Sequence, residues 1–219
     1  MDIRVHHPVF DIQPQDLTQC NGGEVIFRAS VAGASTYHWE SSTNGLDFSP
    51  LSATTKFKDI NTPHLKVTGI INSHHGLVFR CRVKDVYQCE ALSAPAVLSV
   101  NQLSTSVSPT TSTAFCEGDS ARFFPSTLTG SPVSFQWLLR KTGQTSYTAL
   151  EESERFTGTT SQHLRVKEIR SGENSYRVKV GFSALTQNAT GQTDSAVCFL
   201  ESTRANYTIH PRPGPPAQL

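Results

Sequence analysis

Hydrophobic and polar residues alternate along several short segments of this chain. In residues 24–31, EVIFRASV, the apolar side chains of Val25, Phe27 and Ala29 occupy every second position. This period of two is typical of a β-strand with one buried face, because successive side chains of a strand point to opposite sides. The same alternation occurs in residues 36–42, 64–70, 77–83 and 95–100. Since few segments have a helical period, the pattern predicts an all-β fold.

The pattern of the first half of the chain returns in the second half. Trp39 in TYHWE matches Trp137 in SFQWL, and the segment FRCRV, residues 79–83, matches YRVKV, residues 176–180. Further matched pairs are Cys20 with Cys116, Gly22 with Gly118, Phe27 with Phe123, Phe57 with Phe156, Leu65 with Leu164, Val67 with Val166, Ile70 with Ile169 and Cys89 with Cys198. Landmarks that recur in one fixed order indicate an internal repeat.

Each repeat contains about seven short alternating segments in roughly 100 residues, with one tryptophan midway, and this favours an antiparallel β-sandwich over a barrel. We therefore predict two domains, residues 1–101 and 102–211, the second with a long loop before its last strand. Residues 212–219 are rich in proline and are expected to form a linker or tail.

The order of the landmarks resembles a known family. Each repeat has C-x-G, then a tryptophan, then L-x-V, then an aromatic residue followed by arginine, and finally a second cysteine. This order resembles the tandem immunoglobulin-like modules of large secreted surface proteins from gliding and surface-colonising Bacteroidetes. The resemblance implies two tandem immunoglobulin-like antiparallel β-sandwich domains, a role in cell adhesion, and export by the type IX secretion system.

The cysteines depart from the antibody pattern. Antibody domains carry a cysteine at the position of Phe27 and of Phe123, so Cys81 has no partner across its own core, and the second repeat has Val178 in its place. The two cysteines that both repeats share predict the disulfides Cys20–Cys89 and Cys116–Cys198, with Cys81 a buried thiol. Two such bonds would indicate an oxidising, extracellular or cell-surface location; the alternative is a cytosolic protein with five reduced cysteines.

Composition and motifs argue against several functions. The formal net charge of +1 gives no bulk attraction to nucleic acid or to an anionic membrane, and no apolar run approaches the ~20 residues that cross a bilayer. The sequence contains no H-E-x-x-H, C-x-x-C, G-x-S-x-G or P-loop motif. Neighbouring histidines, as in His74-His75, would point to opposite sides of a strand. We therefore predict no catalytic residue, no metal site and no cofactor.

One loop is the best candidate for ligand binding. Twenty positions separate Val178 from Cys198, whereas eight separate Cys81 from Cys89. Loops at the ends of sandwiches commonly carry recognition. The candidate ligand-binding residues are Phe182, Gln187, Asn188, Thr190, Gln192 and Asp194. The alternatives are a tolerated insertion or a longer hairpin. A second candidate is the basic strand face formed by Arg80, Arg82, Lys84, Arg177 and Lys179.

These observations favour a non-enzymatic extracellular module pair, part of a surface adhesin or filament that contacts a protein or glycan. Neighbouring immunoglobulin-like domains of a longer chain are the other expected partners; nucleic acid and membrane insertion are not expected. The alternative function is that of accessory or spacer domains in a secreted polysaccharide-degrading enzyme. Further immunoglobulin-like repeats in the full-length chain would favour the adhesin, and a catalytic domain would favour the alternative.

Overall fold

The computed structural model describes residues 8–103, 106–109, 113–173 and 175–212. Within these residues the fold is all-β, and the one helical element is the short 3₁₀ turn Asn72–His74. The tandem immunoglobulin-like β-sandwich fold expected from the sequence is thereby confirmed. The predicted tail, residues 212–219, lies outside the described residues from position 213 onward.

Most strands are short, as the spacing of turn residues in the sequence predicts, but β20 has 13 residues. Those of the first repeat are β1 (Phe10–Ile12), β2 (Leu17–Cys20), β3 (Val25–Arg28), β4 (Ser30–Val31), β5 (Ala34–Ser42), β6 (Ser49–Pro50), β7 (Phe57–Lys58), β8 (His64–Val67), β9 (Val78–Asp85), β10 (Glu90–Leu92) and β11 (Ala96–Leu103). Those of the second are β12 (Val107–Pro109), β13 (Ala114–Cys116), β14 (Ala121–Pro125), β15 (Leu128–Thr129), β16 (Pro132–Arg140), β17 (Thr148–Ala149), β18 (Phe156–Thr157), β19 (Leu164–Val166), β20 (Ser175–Gln187), β21 (Thr193–Glu201) and β22 (Thr208–His210).

The chain forms two compact units that do not follow the repeat boundary. Unit 1 contains the residues up to Asn101 together with Ser183–Cys198, and unit 2 contains Gln102–Phe182 together with the residues from Phe199 onward. The segment 183–198 thus belongs to the second repeat in sequence and to unit 1 in space. The predicted boundaries, 1–101 and 102–211, did not anticipate this exchange and remain a proposal for how the repeats are divided.

Unit 1 is a sandwich of two sheets. One sheet contains β2, β11, β9, β5 and β6 in that order, with β10 added to β9; the other contains β3, β8 and β7. Strand β2 runs parallel to β11, and the neighbouring pairs of β9 with β5 and β11 are antiparallel. Phe27 on β3 meets Phe79 on β9 across the sandwich with ring centroids 5.0 Å apart, so the two sheets share one apolar core.

Unit 2 repeats this plan with its own core. Strand β16 pairs with β17 and β20, and a second sheet contains β12, β14, β19 and β18. Strand β13 runs parallel to β22, as β2 runs parallel to β11 in unit 1. Phe123 on β14 stacks on Tyr176 on β20 with ring centroids 4.9 Å apart. The sheets again meet through aromatic side chains.

The matched tryptophans have the same surroundings in the two units. Trp39 is 1% exposed and Trp137 is 0% exposed. The indole N–H of Trp39 donates to the carbonyl of Thr62 at 2.9 Å, and that of Trp137 donates to the carbonyl of Ser161 at 2.8 Å. A buried indole needs such an acceptor. The prediction that each tryptophan lies in the core of its repeat is confirmed.

The disulfide differs from the prediction. Cys20 is bonded to Cys198, with their Cα atoms 5.9 Å apart, and Cys81, Cys89 and Cys116 are free. The predicted pairs Cys20–Cys89 and Cys116–Cys198 are therefore wrong. The prediction that Cys81 is a buried thiol is confirmed, since it is 0% exposed and desolvation raises its pKa to about 12.

The register of the sheet explains why Cys20 and Cys89 do not pair. Cys20 on β2 is paired in register with Asn101, near the C-terminal end of β11. Ala96, at the N-terminal end of β11, is paired in register with Phe79 on β9. From Phe79, β9 continues away from Cys20 to Asp85, which is hydrogen-bonded to Cys89. About ten strand residues, or roughly 35 Å at ~3.3 Å per residue, separate the two cysteines. A disulfide requires Cα atoms about 4.4–6.8 Å apart.

Candidate functional site

The predicted long loop is a β-hairpin. We call its residues 183–198 the arm; they comprise the end of β20, a turn and most of β21. At the turn, the N–H of Asn188 donates to the carbonyl of Gln192 at 2.8 Å, and the side-chain oxygen of Asn188 accepts from the N–H groups of Thr190 and Gln192 at 3.1 and 3.0 Å. Of the alternatives drawn from the sequence, the longer hairpin is the one confirmed.

A signal for the longer hairpin is present in the sequence. The alternation of Val178 and Val180 continues through Phe182 and Ala184, and all four side chains are at most 1% exposed. Because a period of two predicts a strand, this run could have shown that β20 continues into the supposed loop. The predicted strand ends at Val180, because the matching segment of the first repeat, FRCRV, ends at Val83.

The arm extends the sheet of unit 1. Leu185 is paired with Thr18 in antiparallel register, so the arm lies beside β2 on the side opposite β11. The side-chain amide of Asn101, which is 2% exposed, donates to the carbonyl of Ser183 at 2.6 Å. The Cys20–Cys198 disulfide joins the last residue of the arm to the last residue of β2. The arm is therefore attached by backbone pairing, a buried amide and a covalent bond.

Gln187 anchors the far part of the arm. Its side-chain oxygen accepts from the N–H of Arg28 at 2.9 Å, and its amide nitrogen donates to the carbonyl of Gln13 at 2.8 Å and to that of Gly191 at 2.9 Å. The residue is 5% exposed. Since a buried amide satisfied on both sides is costly to remove, Gln187 acts in holding the arm to unit 1.

The turn of the arm contacts unit 1 closely. Gly191 has a φ of 87°, and a Cβ atom at this position would lie 2.5 Å from Cγ2 of Ile12. Real Cβ atoms do not approach other carbons so closely, so glycine is required here both by its backbone angle and by the space. This contact fixes where the tip of the arm rests.

The structure divides the predicted ligand-binding residues into two groups. Phe182, 0% exposed, lies in the core, and Gln187 is buried by its hydrogen bonds. Asn188 is half-buried and shapes the turn. The side chains that remain exposed are those of Thr190, Gln192 and Asp194, and the adjoining residues 195–197 of β21 are exposed as well. A binding role for this surface remains a prediction.

The second candidate surface, the basic strand face, is largely neutralised in unit 1. Glu40, 4% exposed, accepts from Nε of Arg80 at 2.7 Å and from Nε of Arg82 at 2.8 Å. The carboxylate oxygens of Glu90 lie 2.9 Å from a guanidinium nitrogen of Arg82 and 3.0 Å from Nζ of Lys84. Burial alone would raise the pKa of Glu40, but the hydrogen bonds from the two arginines outweigh it and the pKa is lowered. Paired charges of this kind offer little to an acidic ligand.

In unit 2 the basic side chains of this face lie over aromatic rings. The guanidinium of Arg177 lies 4.3 Å from the ring centre of Tyr147, and the ammonium of Lys179 lies 4.8 Å from that of Phe199. Such cation–π contacts contribute about 0.5–1 kcal/mol at exposed sites. In each contact the cation occupies one face of the ring, on which a sugar ring could otherwise stack.

The histidine pair His74-His75 has structural roles. Nδ1 of His75 accepts from the N–H of Val100 at 3.0 Å, and Nδ1 of His74 accepts from the N–H of Ile71 at 3.3 Å. Among the described residues, no group of three or more His, Cys, Asp or Glu side chains could hold a metal ion. No helix in the described part of the chain is long and apolar enough to span a membrane.

Comparison with known proteins assigns the chain to no family. No family model matches the chain, and no curated protein matches it. Similar solved structures include the titin I-band fragment I67–I69 (17% identical, 95% of this chain and 67% of that chain covered, TM-score 0.47) and the four N-terminal Ig domains of Dscam1 isoform 6.44 (13%, 94% and 52%, TM-score 0.34). A third is the Ig1–2 module of the Drosophila receptor protein tyrosine phosphatase DLAR (14%, 94% and 100%, TM-score 0.37). The chain spans about half the length of the Dscam1 fragments.

Proposed function

We propose that the chain is a non-enzymatic extracellular module pair, part of a surface adhesin or filament, and that it contacts a protein or glycan through the exposed side of the arm. The resemblance to Bacteroidetes surface modules, and export by the type IX route, belong to the same proposal. Immunoglobulin-like sandwiches host recognition far more often than catalysis, although a fold by itself does not establish a function.

The observation that carries the proposal is the way the arm is held. The Cys20–Cys198 bond, the buried Gln187 and the close contact of Gly191 together fix a strand whose outer side chains face solvent. A surface ordered before binding loses little conformational entropy when a partner arrives, and this raises affinity. A disulfide also persists in oxidising surroundings, which supports an extracellular location.

The exposed side chains suit a polar partner. Thr190 and Gln192 in the turn and Asp194 on β21 supply hydroxyl, amide and carboxylate groups, and Val197 on β21, 51% exposed, adds an apolar side chain. Hydroxyls and amides of this type bind either glycan hydroxyls or the polar rim of a protein surface. We place the contact on the outer side of the arm.

The test compares two triple variants of the intact chain. Thr190→Ala, Gln192→Ala and Asp194→Ala together change the arm; Ser52→Ala, Thr55→Ala and Thr145→Ala change exposed polar residues elsewhere and serve as the matched control. Beads that carry each protein are assayed on arrays of neutral and acidic polysaccharides and on bacterial cell surfaces. We expect the arm variant to lose at least about tenfold in retention, as expected when two or three good polar contacts are removed, and the control to retain it.

Two results would contradict this proposal. Equal retention of the arm variant and the control would place the contact on another surface. A lack of retention of the unmodified chain on every array and cell type would instead support the alternative, in which the domains only set the reach of a secreted polysaccharide-degrading enzyme.

A further inference from the structure

The two remaining repeat cysteines occupy the positions that are bonded elsewhere in the chain. Cys116 is the counterpart of Cys20, and Cys89 is the counterpart of Cys198. Cys20 and Cys198 form the disulfide, whereas Cys116 is free and exposed and Cys89 is free and partly exposed. Each cysteine of the disulfide therefore has a counterpart in the other repeat that is a free thiol.

The backbone at Cys116 has the same hydrogen bonds as the backbone at Cys20. In each case the next three backbone N–H groups donate to the last strand of the repeat, to an isoleucine carbonyl and to the carbonyl of the cysteine itself. After Cys20 these bonds are Asn21 to Asn101 (3.1 Å), Gly22 to Ile70 (2.6 Å) and Gly23 to Cys20 (3.0 Å). After Cys116 they are Glu117 to His210 (2.9 Å), Gly118 to Ile169 (2.8 Å) and Asp119 to Cys116 (3.0 Å). Both cysteines end a strand that runs parallel to the last strand of its repeat. The backbone at Cys116 thus follows the same course as the backbone at Cys20, and the thiol of Cys116 is exposed.

Cys89 and Cys198 also share a local frame. Each precedes by four residues a buried serine, Ser93 or Ser202, that is bonded to the central strand of its repeat. The hydroxyl of Ser93 accepts from the N–H of Cys81 at 2.8 Å, and the hydroxyl of Ser202 accepts from the N–H of Val178 at 3.0 Å. The equivalence of the two cysteines is therefore structural as well as sequential.

The turn that precedes Cys89 exposes apolar side chains. Val86 is 68% exposed and Tyr87 is 71% exposed, directly beside a partly exposed thiol. The Cys89 thiol therefore has two exposed apolar side chains beside it, which a second molecule could cover.

We propose that Cys89 of one copy of this chain forms a disulfide with Cys116 of a second copy, so that copies join head to tail. The bond repeats between copies the pairing that Cys20 and Cys198 make within one chain. Because the two positions are different, the contact is heterologous and leaves one free thiol at each end of a growing series. This goes beyond the proposed function and assumes from it only the oxidising surroundings.

The chemistry requires a disulfide oxidant such as oxidised glutathione. The Cys116 thiolate attacks the glutathione disulfide, which releases one glutathione thiolate and leaves a mixed disulfide. The Cys89 thiolate of the other copy then attacks the Cys116 sulfur and releases the second glutathione. Two protein thiols are oxidised and one glutathione disulfide is reduced, and the two protons lost by the protein thiols are taken up by the two released glutathione thiolates. Cys81 does not compete, because its buried thiol has a pKa of about 12 and stays protonated.

The experiment uses full-length Cys89→Ser and Cys116→Ser chains in a glutathione redox buffer, separately and mixed, followed by non-reducing electrophoresis and peptide mapping. We expect the mixture to form a dimer at least about tenfold faster than either variant alone, since docking places the two thiols in reach of each other. The unmodified chain should give a ladder of higher species. The matched control is Ser52→Cys in the Cys89→Ser background, which moves the thiol to another exposed site of unit 1.

Each remaining outcome overturns the proposal. Equal dimer formation by single variants, or by the Ser52→Cys control, would indicate unspecific thiol oxidation. A monomer whose Cys89 and Cys116 are bonded to each other would show an internal bond instead. An absence of dimers in the mixture, with both thiols titrating as accessible, would show that the two surfaces do not meet. None of these results depends on whether the arm binds a polysaccharide or a cell surface.

Discussion

Replacement of Cys198 by serine should destabilise unit 1 strongly. The Cys20–Cys198 bond closes a loop with a sequence separation of 178 residues. In the chain-entropy model a loop of 100 residues or more stabilises the folded state by about 5 kcal/mol, since the crosslink restricts the unfolded chain. The hydrogen bonds of Gln187 and Asn101 do not depend on the sulfur, so the arm should still dock in the variant. We expect a loss of about 3–5 kcal/mol in the free energy of unfolding.

The assay follows unit 1 alone. The chain has two tryptophans, and Trp137→Phe leaves Trp39, 1% exposed in the core of unit 1, as the only tryptophan, whose emission is then followed by selective excitation. With a urea m-value of ~2 kcal/mol/M, the expected loss lowers the midpoint by about 2 M. Cys116→Ser, which changes a free and exposed cysteine, is the control and should shift the midpoint by less than about 0.3 M. The reasoning would be refuted if Cys198→Ser had the same urea midpoint as Cys116→Ser, or if Cys89→Ser lowered the urea midpoint as much as Cys198→Ser does.

Three further outcomes are expected. Cys81→Val should change the unfolding free energy by less than about 1.5 kcal/mol in urea titrations, because Val178 already fills the equivalent core position; a larger loss would assign Cys81 a further role. Gly191→Ala should lower it by about 1–3 kcal/mol, since the residue has a φ of 87° and its Cβ would contact Ile12; Ile12→Ala in the same chain should recover the steric part, and no recovery would contradict the contact. Burial lowers the pKa of His74, so the unfolded chain binds a proton at this histidine at a higher pH than the folded chain does, and the free energy of unfolding should fall as the pH drops below about 6.5. The urea midpoint is measured between about pH 7.5 and 5.5. If the midpoint of His74→Gln changed with pH as steeply as that of the unmodified chain, His74 would not be the cause.

The sequence was sufficient to predict the cores. Alternation with a period of two, together with the repeat, placed Trp39 and Trp137 inside two separate sandwiches, and both are at most 1% exposed. This succeeds because burial on one face of a strand imposes a local pattern that can be read without knowing the neighbours. The repeat then shows each matched core position twice, as for Phe27 with Phe123 and Leu65 with Leu164.

The disulfide and the arm could not be predicted in the same way. The repeat showed that Cys20 and Cys89 have counterparts, but the distance between strand ends depends on sheet register, which chain spacing does not give. The destination of the arm depends on contacts such as that of Gln187 with Gln13, 174 residues apart in sequence. Phe182 is a predicted ligand-binding residue because the loop is expected to begin after residues 176–180, which match residues 79–83 of the first repeat.

Unit 1 is assembled from two lengths of chain, and this has a consequence for biosynthesis. Residues 183–198 leave the ribosome only after residues 102–182, so at 5–20 residues per second Cys20 waits on the order of ten seconds or more for Cys198. Cys89 emerges earlier than Cys198 and is nearer than Cys198 to Cys20 along the nascent chain. Once β2, β9 and β11 have paired, however, Cys20 and Cys89 are at opposite ends of the sheet. If these strands pair before the thiols are oxidised, Cys20 is kept from the wrong partner, and a chain truncated at residue 101 would be released with the Cys20 thiol unbonded.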